Sequence, residues 1–406
     1  PPAEILQQLR AFNEMGSVLY VAAHPDDENT QLIAYFARGR NYRTAYLSLT
    51  RGDGGQNVLG PEFGSELGVI RTQELLAARR LDGGRQFFTR AMDFGFSKDY
   101  RETLRIWDRQ KVLSDVVRVI RTFRPDVVVT RFAPWPTHTH GHHTASAVLA
   151  LEAFKIAGDP KAFPEQNLPP WQPKRIFVNS RGGESALQIE ANGTDPVSGE
   201  TFGAIAGHSR AMHKSQGFGN FGGGGGGSRL ESFRLLAGEP ATNDIMDGVD
   251  TTWNRVPGGA EIGKQAGEII AQFDLKNPAA SVEALLALKK NLSALPAEPL
   301  VEEKRRKLDQ ILQACLGLSV VATVPRAEVV PGEKLMVRVT ASVHAKISVV
   351  WLNPPGHAPR MRPDEPASLD LDFTQELASL PLTQPDWLCE EPTVGMFRVA
   401  DAKLIG

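Results

Sequence analysis

The sequence holds only two cysteines in 406 residues, Cys315 and Cys389. A disulfide framework and a cysteine-ligated metal centre are therefore excluded, although a single disulfide between the two is allowed. No apolar run approaches the roughly 18 residues that a membrane-crossing helix requires. Nor is there an excess of charge of one sign: 45 basic residues face 47 acidic ones, a formal net charge of -2. Without a basic stripe, a nucleic-acid partner is disfavoured, and so is an anionic membrane surface. Aromatic residues are sparse at 7%, while 41% hydrophobic and 23% charged residues place the chain among ordinary globular proteins. At about 150 residues per domain, the length predicts two or three domains. The chain starts Pro1-Pro2-Ala3 without Met or an apolar signal core, and it closes on a strand-like stretch from Arg398 to Gly406. From these ends we expect an exported, periplasmic or extracellular protein that naturally continues past Gly406, with the cytoplasm as the alternative.

What the sequence does contain is strand–helix alternation over its first 180 residues. Ser17 to Ala23 is a short, continuously apolar run, the pattern of a strand covered on both faces. Thr44 to Thr50, Asp126 to Thr130 and Arg175 to Asn179 read as three more strands. Leu113, Val116, Val117, Ile120 and Phe123 share one helical face, in a helix that must end before Pro125. The alternation predicts an α/β fold with an open, mostly parallel, Rossmann-like sheet flanked by helices. The six glycines Gly222 to Gly227 read as a loop tip; they lack the strand and Lys-Ser/Thr context of a phosphate cradle. Three helices are expected near 260–273, 279–293 and 299–317. After them, Val320 to Val324, Lys334 to Ala341 and Ile347 to Leu352 are β-branched runs between turn residues. The expected division is a catalytic domain over 1–260, a helical segment packed on it over 261–318, and a smaller β-rich, sandwich-like domain over 319–406.

Four of the nine histidines lie within six residues: His138, His140, His142 and His143. A fifth, His24, opens His24-Pro25-Asp26-Asp27-Glu28 directly after the first predicted strand. Both groups follow strands, and in a parallel α/β sheet ligands collect at the carboxyl ends of strands. His24 and Asp27, three apart at a strand-to-helix turn, converge on one point. A third ligand from the histidine cluster would complete two imidazoles and a carboxylate with one position open, the arrangement of catalytic zinc. Asp26 would then be free to act as general base, and a spare histidine could stabilise an oxyanion or protonate a leaving amine. The implied chemistry is metal-assisted hydrolysis of an amide or ester.

These motifs resemble the PIG-L/LmbE-like family of zinc-dependent N-deacetylases over roughly residues 15 to 255. Ala23-His24-Pro25-Asp26-Asp27-Glu28 with His140-Gly141-His142-His143 carries the resemblance. It implies that His24, Asp27 and His143 bind Zn2+ (or another divalent metal), that Asp26 is the base, and that His140 is the electrophilic or acid histidine. Thr50 to Gly55 resembles the family's second-strand loop, and Arg71-Thr72-Gln73-Glu74-Leu75 its Arg-x-x-Glu-Leu helix. By the same resemblance, Arg71 and Asp93 are substrate-binding residues, with His142 a candidate beside them. Where family members commonly carry Asp before the last histidine, this chain has His142. The substrate implied is an N-acetylglucosamine-type sugar or glycoconjugate.

Two other readings stand beside this one. The first keeps the metal and changes the amide, for example to a thiol conjugate. The second is a carbohydrate-binding protein with a vestigial site, against which the retained Asp26 argues, because a structural metal site needs no unliganded base. His208 and His213 read more readily as ordinary helix surface than as crevice rim. Trp135 and Trp253 read more readily as buried indoles than as sugar platforms.

Overall fold

A computed structural model describes residues 1–180, 187–220, 229–350 and 360–406. The glycine run at 222–227 lies outside these described residues. Contacts divide the chain into two units, Glu14–Thr251 with Pro385–Gly406, and Pro1–Asn13 with Thr252–Gln384.

The chain opens with helix α1 (Pro2–Asn13), which belongs to the second of these units. The sheet-bearing unit then begins with strand β1 (Ser17–Ala22), every residue of which is buried. That burial explains its apolar run. Leu19 and Val21 enter a core on one face of the sheet, while Val18, Tyr20 and Ala22 enter a second core on the other. At roughly 1.5–3 kcal/mol for each large apolar side chain removed from water, a strand so covered is fixed by both layers. After it come α2 (Thr30–Ala34), β2 (Arg43–Ser48), α3 (Ser65–Asp82), β3 (Arg85–Phe88), α4 (Tyr100–Ile106) and α5 (Arg109–Phe123). The buried face of α5 includes Leu113, Val116, Val117, Ile120 and Phe123, and the helix stops where Arg124 turns left-handed before Pro125.

Next follow β4 (Val127–Thr130), α6 (Gly141–Ile156), β5 (Arg175–Ser180), β6 (Leu187–Glu190), α7 (Phe202–Arg210) and β7 (Leu230–Gly238). The sheet order is β3-β2-β1-β4-β5-β7-β6. The first five strands run parallel, and β7 joins antiparallel to both β5 and β6. Between β1 and β4 the order reverses direction, which opens a crevice at their carboxyl ends. That crevice is where the two histidine-bearing segments emerge. Residues 385–406 complete this unit. Met92 N–H donates to Gly395 O at 2.9 Å and Phe397 N–H to Arg90 O at 2.8 Å, bracketing an antiparallel bridge between Ala91 and Met396.

The second unit contains α8 (Ala260–Gln272), α9 (Val282–Ser293) and α10 (Pro299–Leu316) beside α1. Its strands are β8 (Ser319–Thr323), β9 (Met336–Ser342), β10 (Val349–Val350), β11 (Arg360–Met361) and β12 (Ala367–Asp372). They form a three-stranded antiparallel sheet, β12-β9-β8, and a two-stranded β10-β11 ribbon. Cys315 is buried, Cys389 is exposed, and both are free thiols.

Candidate metal centre

The turn after β1 is held from several directions. Ala23 O accepts from Thr50 N–H at 2.9 Å and from Thr50 Oγ1 at 2.8 Å, and the Tyr46 hydroxyl donates to His24 O. The turn then closes on itself, His24 N–H donating to Asp27 Oδ2 at 2.8 Å. Between them Asp26 sits at φ +97°, a region that non-glycine residues enter only under constraint. Its N–H donates to Glu28 Oε2 at 2.9 Å. Glu28 is fully enclosed: Oε1 accepts from Arg79 at 3.2 Å and lies 2.8 Å from His213 Nε2. Arg79 also pairs with Asp82, which accepts from Ser209 Oγ at 2.7 Å. The strained turn that carries Asp26 therefore rests on a buried polar network reaching into α3 and the segment after α7.

The second arm of the site follows β4. His140 caps α6, its Nδ1 accepting the His142 N–H at 3.1 Å. With Nδ1 acting as acceptor, the neutral ring carries its proton on Nε2. Burial lowers the His140 pKa to about 4, with His24 and His143 adding to the effect, so the ring is a neutral donor near pH 7. His143 lies flat against Phe132, ring centroids 3.8 Å apart. Its Nδ1 is 2.7 Å from Thr139 Oγ1, and its Nε2 is 3.3 Å from Asp27 Oδ1. A proton on Nδ1, donated to Thr139, leaves the Nε2 lone pair aimed at the centre.

His24 Nδ1 lies 3.1 Å from Asp27 Oδ2. His24, Asp27 and His143 thus each offer a ligand atom within 4.8 Å of the others, and so do His24, His140 and His142. The two triplets differ in what their atoms already do. His140 Nδ1 is engaged by the helix N-terminus, whereas Asp27 faces the two imidazoles of His24 and His143. Burial pushes the Asp27 pKa upward, but His143 and His24 reverse this and hold the carboxyl well below its ordinary range. Two imidazoles and one ionised carboxylate, partly open to solvent, fit a divalent cation.

Asp26 lies beside this triplet, 3.5 Å from Arg71. Burial raises its pKa to about 6; Arg71 works against the shift and Asp27 adds to it. Arg71 is only 3% exposed and donates to Gly52 O at 2.9 Å and Pro25 O at 2.6 Å. It therefore clamps the loops after β1 and β2 as well as facing Asp26. The glycines of that second loop are explained by contact distance: a Cβ on Gly52, itself at φ +70°, would stand 2.4 Å from the Arg71 guanidinium, and one on Gly54 would stand 2.2 Å from Asp93 O. Asp93 is also buried, with Oδ2 3.7 Å from His24 Nε2 and Oδ1 3.6 Å from His142 Nδ1. His142 is fully enclosed, between Phe94 and Trp107. The turn residues and three of the clustered histidines meet; His138 is exposed and outside the triplets.

Glu28, His213 and Arg79 were not assigned from the sequence. Glu28 has a signal in its place in the motif, while His213, expected as ordinary helix surface, is instead fully buried against Glu28. His208 is exposed near Glu200 and Trp253 is a buried indole, but Trp135, expected to be buried, is exposed beneath Arg234.

The family described as PIG-L, GlcNAc-PI de-N-acetylase, matches residues 19–154. A 1D-myo-inositol 2-acetamido-2-deoxy-alpha-D-glucopyranoside deacetylase 2 of Saccharopolyspora erythraea is 30% identical over 193 residues, 44% of this chain and 70% of that one. The chain belongs to the PIG-L family. A 1D-myo-inositol 2-acetamido-2-deoxy-alpha-D-glucopyranoside deacetylase of Kineococcus radiotolerans is 28% identical over 204 residues, 43% of this chain and 55% of the relative. A mycothiol S-conjugate amidase of Streptomyces coelicolor is 25% identical over 177 residues, 40% of this chain and 60% of the relative. The match thus spans little more than half the length of these last two relatives. The PIG-L match covers both arms of the crevice, from within β1 to near the end of α6.

Proposed function

We propose that this PIG-L protein is a zinc-dependent hydrolase that removes the N-acetyl group from an N-acetylglucosamine-type sugar or conjugate. The observation carrying this reading is the meeting of His24, Asp27 and His143 with an unliganded carboxylate, Asp26, beside them. His24 Nδ1, Asp27 and His143 Nε2 would hold the zinc. Bound there, the ion supplies a Lewis acid for the amide carbonyl and lowers the pKa of a nearby water.

The chain's own residues do the rest. Asp26, with a pKa of about 6, is ionised at neutral pH and still basic enough to take a proton from the attacking water. Its strained backbone and the Glu28 contact fix where that carboxylate points. His140, neutral with its proton on Nε2, donates a hydrogen bond to the oxyanion that develops on the acetyl oxygen. Asp26 then returns its proton to the leaving nitrogen, giving acetate and a free amine. Arg71 keeps the loops of the crevice together and holds Asp26 from one side. Arg71 and Asp93 stay assigned to substrate binding in this proposal, Arg71 beside the base and Asp93 below the histidines.

The Asp26→Ala variant tests the reading: acetate release from N-acetylglucosamine compounds should vanish while metal content stays near that of the wild type. Normal turnover would remove Asp26 as the base. The similarity to a mycothiol S-conjugate amidase supports a second substrate reading, an amide within a thiol conjugate. Amine release from such a conjugate, without acetate release from sugars, would favour it.

A further inference from the structure

The surroundings of His142 leave it little freedom. It is fully buried, its ring centroid 4.5 Å from that of Phe94 and 4.8 Å from that of Trp107, and its own N–H is committed to His140. Its Nδ1 lies 3.1 Å from His24 Nε2, the ring nitrogen of His24 turned away from Asp27. Among the described residues, the His142 Nε2 atom has no hydrogen-bond partner. We propose that His142 is a positioning residue for metal binding: its Nδ1 accepts the proton-bearing Nε2 of His24 and thereby keeps His24 Nδ1 free as the ligand atom. The proposal rests on the zinc reading given above.

Proton placement decides which nitrogen of His24 can bind a metal. A neutral imidazole carries one N–H, and only the other nitrogen has a lone pair for a metal. If the His24 proton sat on Nδ1, it would be spent on Asp27 and the ring would present no ligand atom to the centre. An acceptor at Nε2 selects the useful tautomer, as supporting partners of ligating histidines generally do. His142 meets the geometric requirement at 3.1 Å, whereas the Asp93 carboxylate stands at 3.7 Å, beyond a direct hydrogen bond. Once His142 Nδ1 is the acceptor, its own proton resides on Nε2. His24 and His143 are then set by the same device, His143 through Thr139 and His24 through His142.

The test is zinc affinity of the full chain, measured by competition with a chromophoric chelator, together with thermal unfolding of the metal-free protein. His142→Leu suits the apolar surroundings but accepts no hydrogen bond, and should weaken zinc about 10–100-fold. His142→Asn places its Oδ1 near the lost Nδ1 and should restore affinity to within about threefold of the wild type. Both metal-free variants should unfold near the wild-type temperature. If His142→Leu is itself unstable, His142→Gln keeps a polar side chain but moves its acceptor outward, and the same weakening is expected. Wild-type affinity in the Leu and Gln variants would overturn the proposal. So would equal weakening in the Leu and Asn variants, which would point to packing or to direct ligation. Absence of zinc uptake by the wild type would instead remove the metal reading itself.

Discussion

Replacing Glu28 by alanine probes the support beneath the turn that carries Asp26. Glu28 accepts from Arg79 at 3.2 Å and from the Asp26 N–H at 2.9 Å, and contacts His213 Nε2 at 2.8 Å. Arg79, His213 and Glu28 are all buried, so water cannot replace the lost acceptor without opening the fold. Breaking a buried ion pair from one side costs roughly 3–5 kcal/mol. Arg79 keeps Asp82, so its guanidinium is not left alone, and the loss should fall near the lower figure, about 3 kcal/mol. For a unit of this size each kcal/mol lowers Tm by roughly 2–4 °C, which places the expected drop at about 6–12 °C. Glu28→Gln, which keeps two polar atoms of the same shape, should lose about half as much. Thermal unfolding of the metal-free protein, followed by circular dichroism, reads the effect without interference from metal binding. A Glu28→Ala variant within about 1 kcal/mol of the wild type would refute the reasoning.

The same network responds to acid. Burial alone would raise the Glu28 pKa, but His213 and Arg79 bring it down to about 2 from an ordinary 4.5. A depressed carboxylate contributes stability that is complete above its unfolded pKa and is lost as pH falls from about 4.5 towards 2. That acid-sensitive component should shrink in Glu28→Gln, as urea unfolding at a series of pH values would reveal. On the activity side, Asp26 must be ionised to accept a proton, so turnover should decline as pH drops below about 6, roughly tenfold per unit. A rate independent of pH between 4 and 7 would contradict that role. A Gly54→Ala variant brings a Cβ to 2.2 Å from Asp93 O and should cost about 1–3 kcal/mol or displace the Asp93 loop. Unchanged stability and unchanged KM together would show that this close approach is not needed.

Much of the sheet was legible because its strands are covered on both sides. The run Ser17–Ala22 is continuously apolar since alternate side chains feed two cores, and the α5 stripe stops at the residues flanking Pro125. The meeting of His24 with the histidine cluster was legible for a different reason: both follow strands, and those strands are neighbours in the sheet. Other features depend on three-dimensional closure. His213 joins Glu28 across 185 positions, and no local pattern distinguishes it from a surface histidine. Residues 385–406 carry no signal that they return to the sheet-bearing unit, yet Gly395–Phe397 pairs with the Arg90–Met92 backbone beside Asp93. Arg71 and Asp93 could be picked out by pattern, but their burial follows from glycines that let one loop fold over both.

The most direct test of the account is metal content by mass spectrometry on protein purified without added metal, wild type beside His143→Ala. The wild type should carry about one zinc per chain, and His143→Ala should lose it while remaining folded. Zinc retained by His143→Ala, or a wild type that neither contains nor takes up any divalent metal, would contradict the centre described by His24, Asp27 and His143.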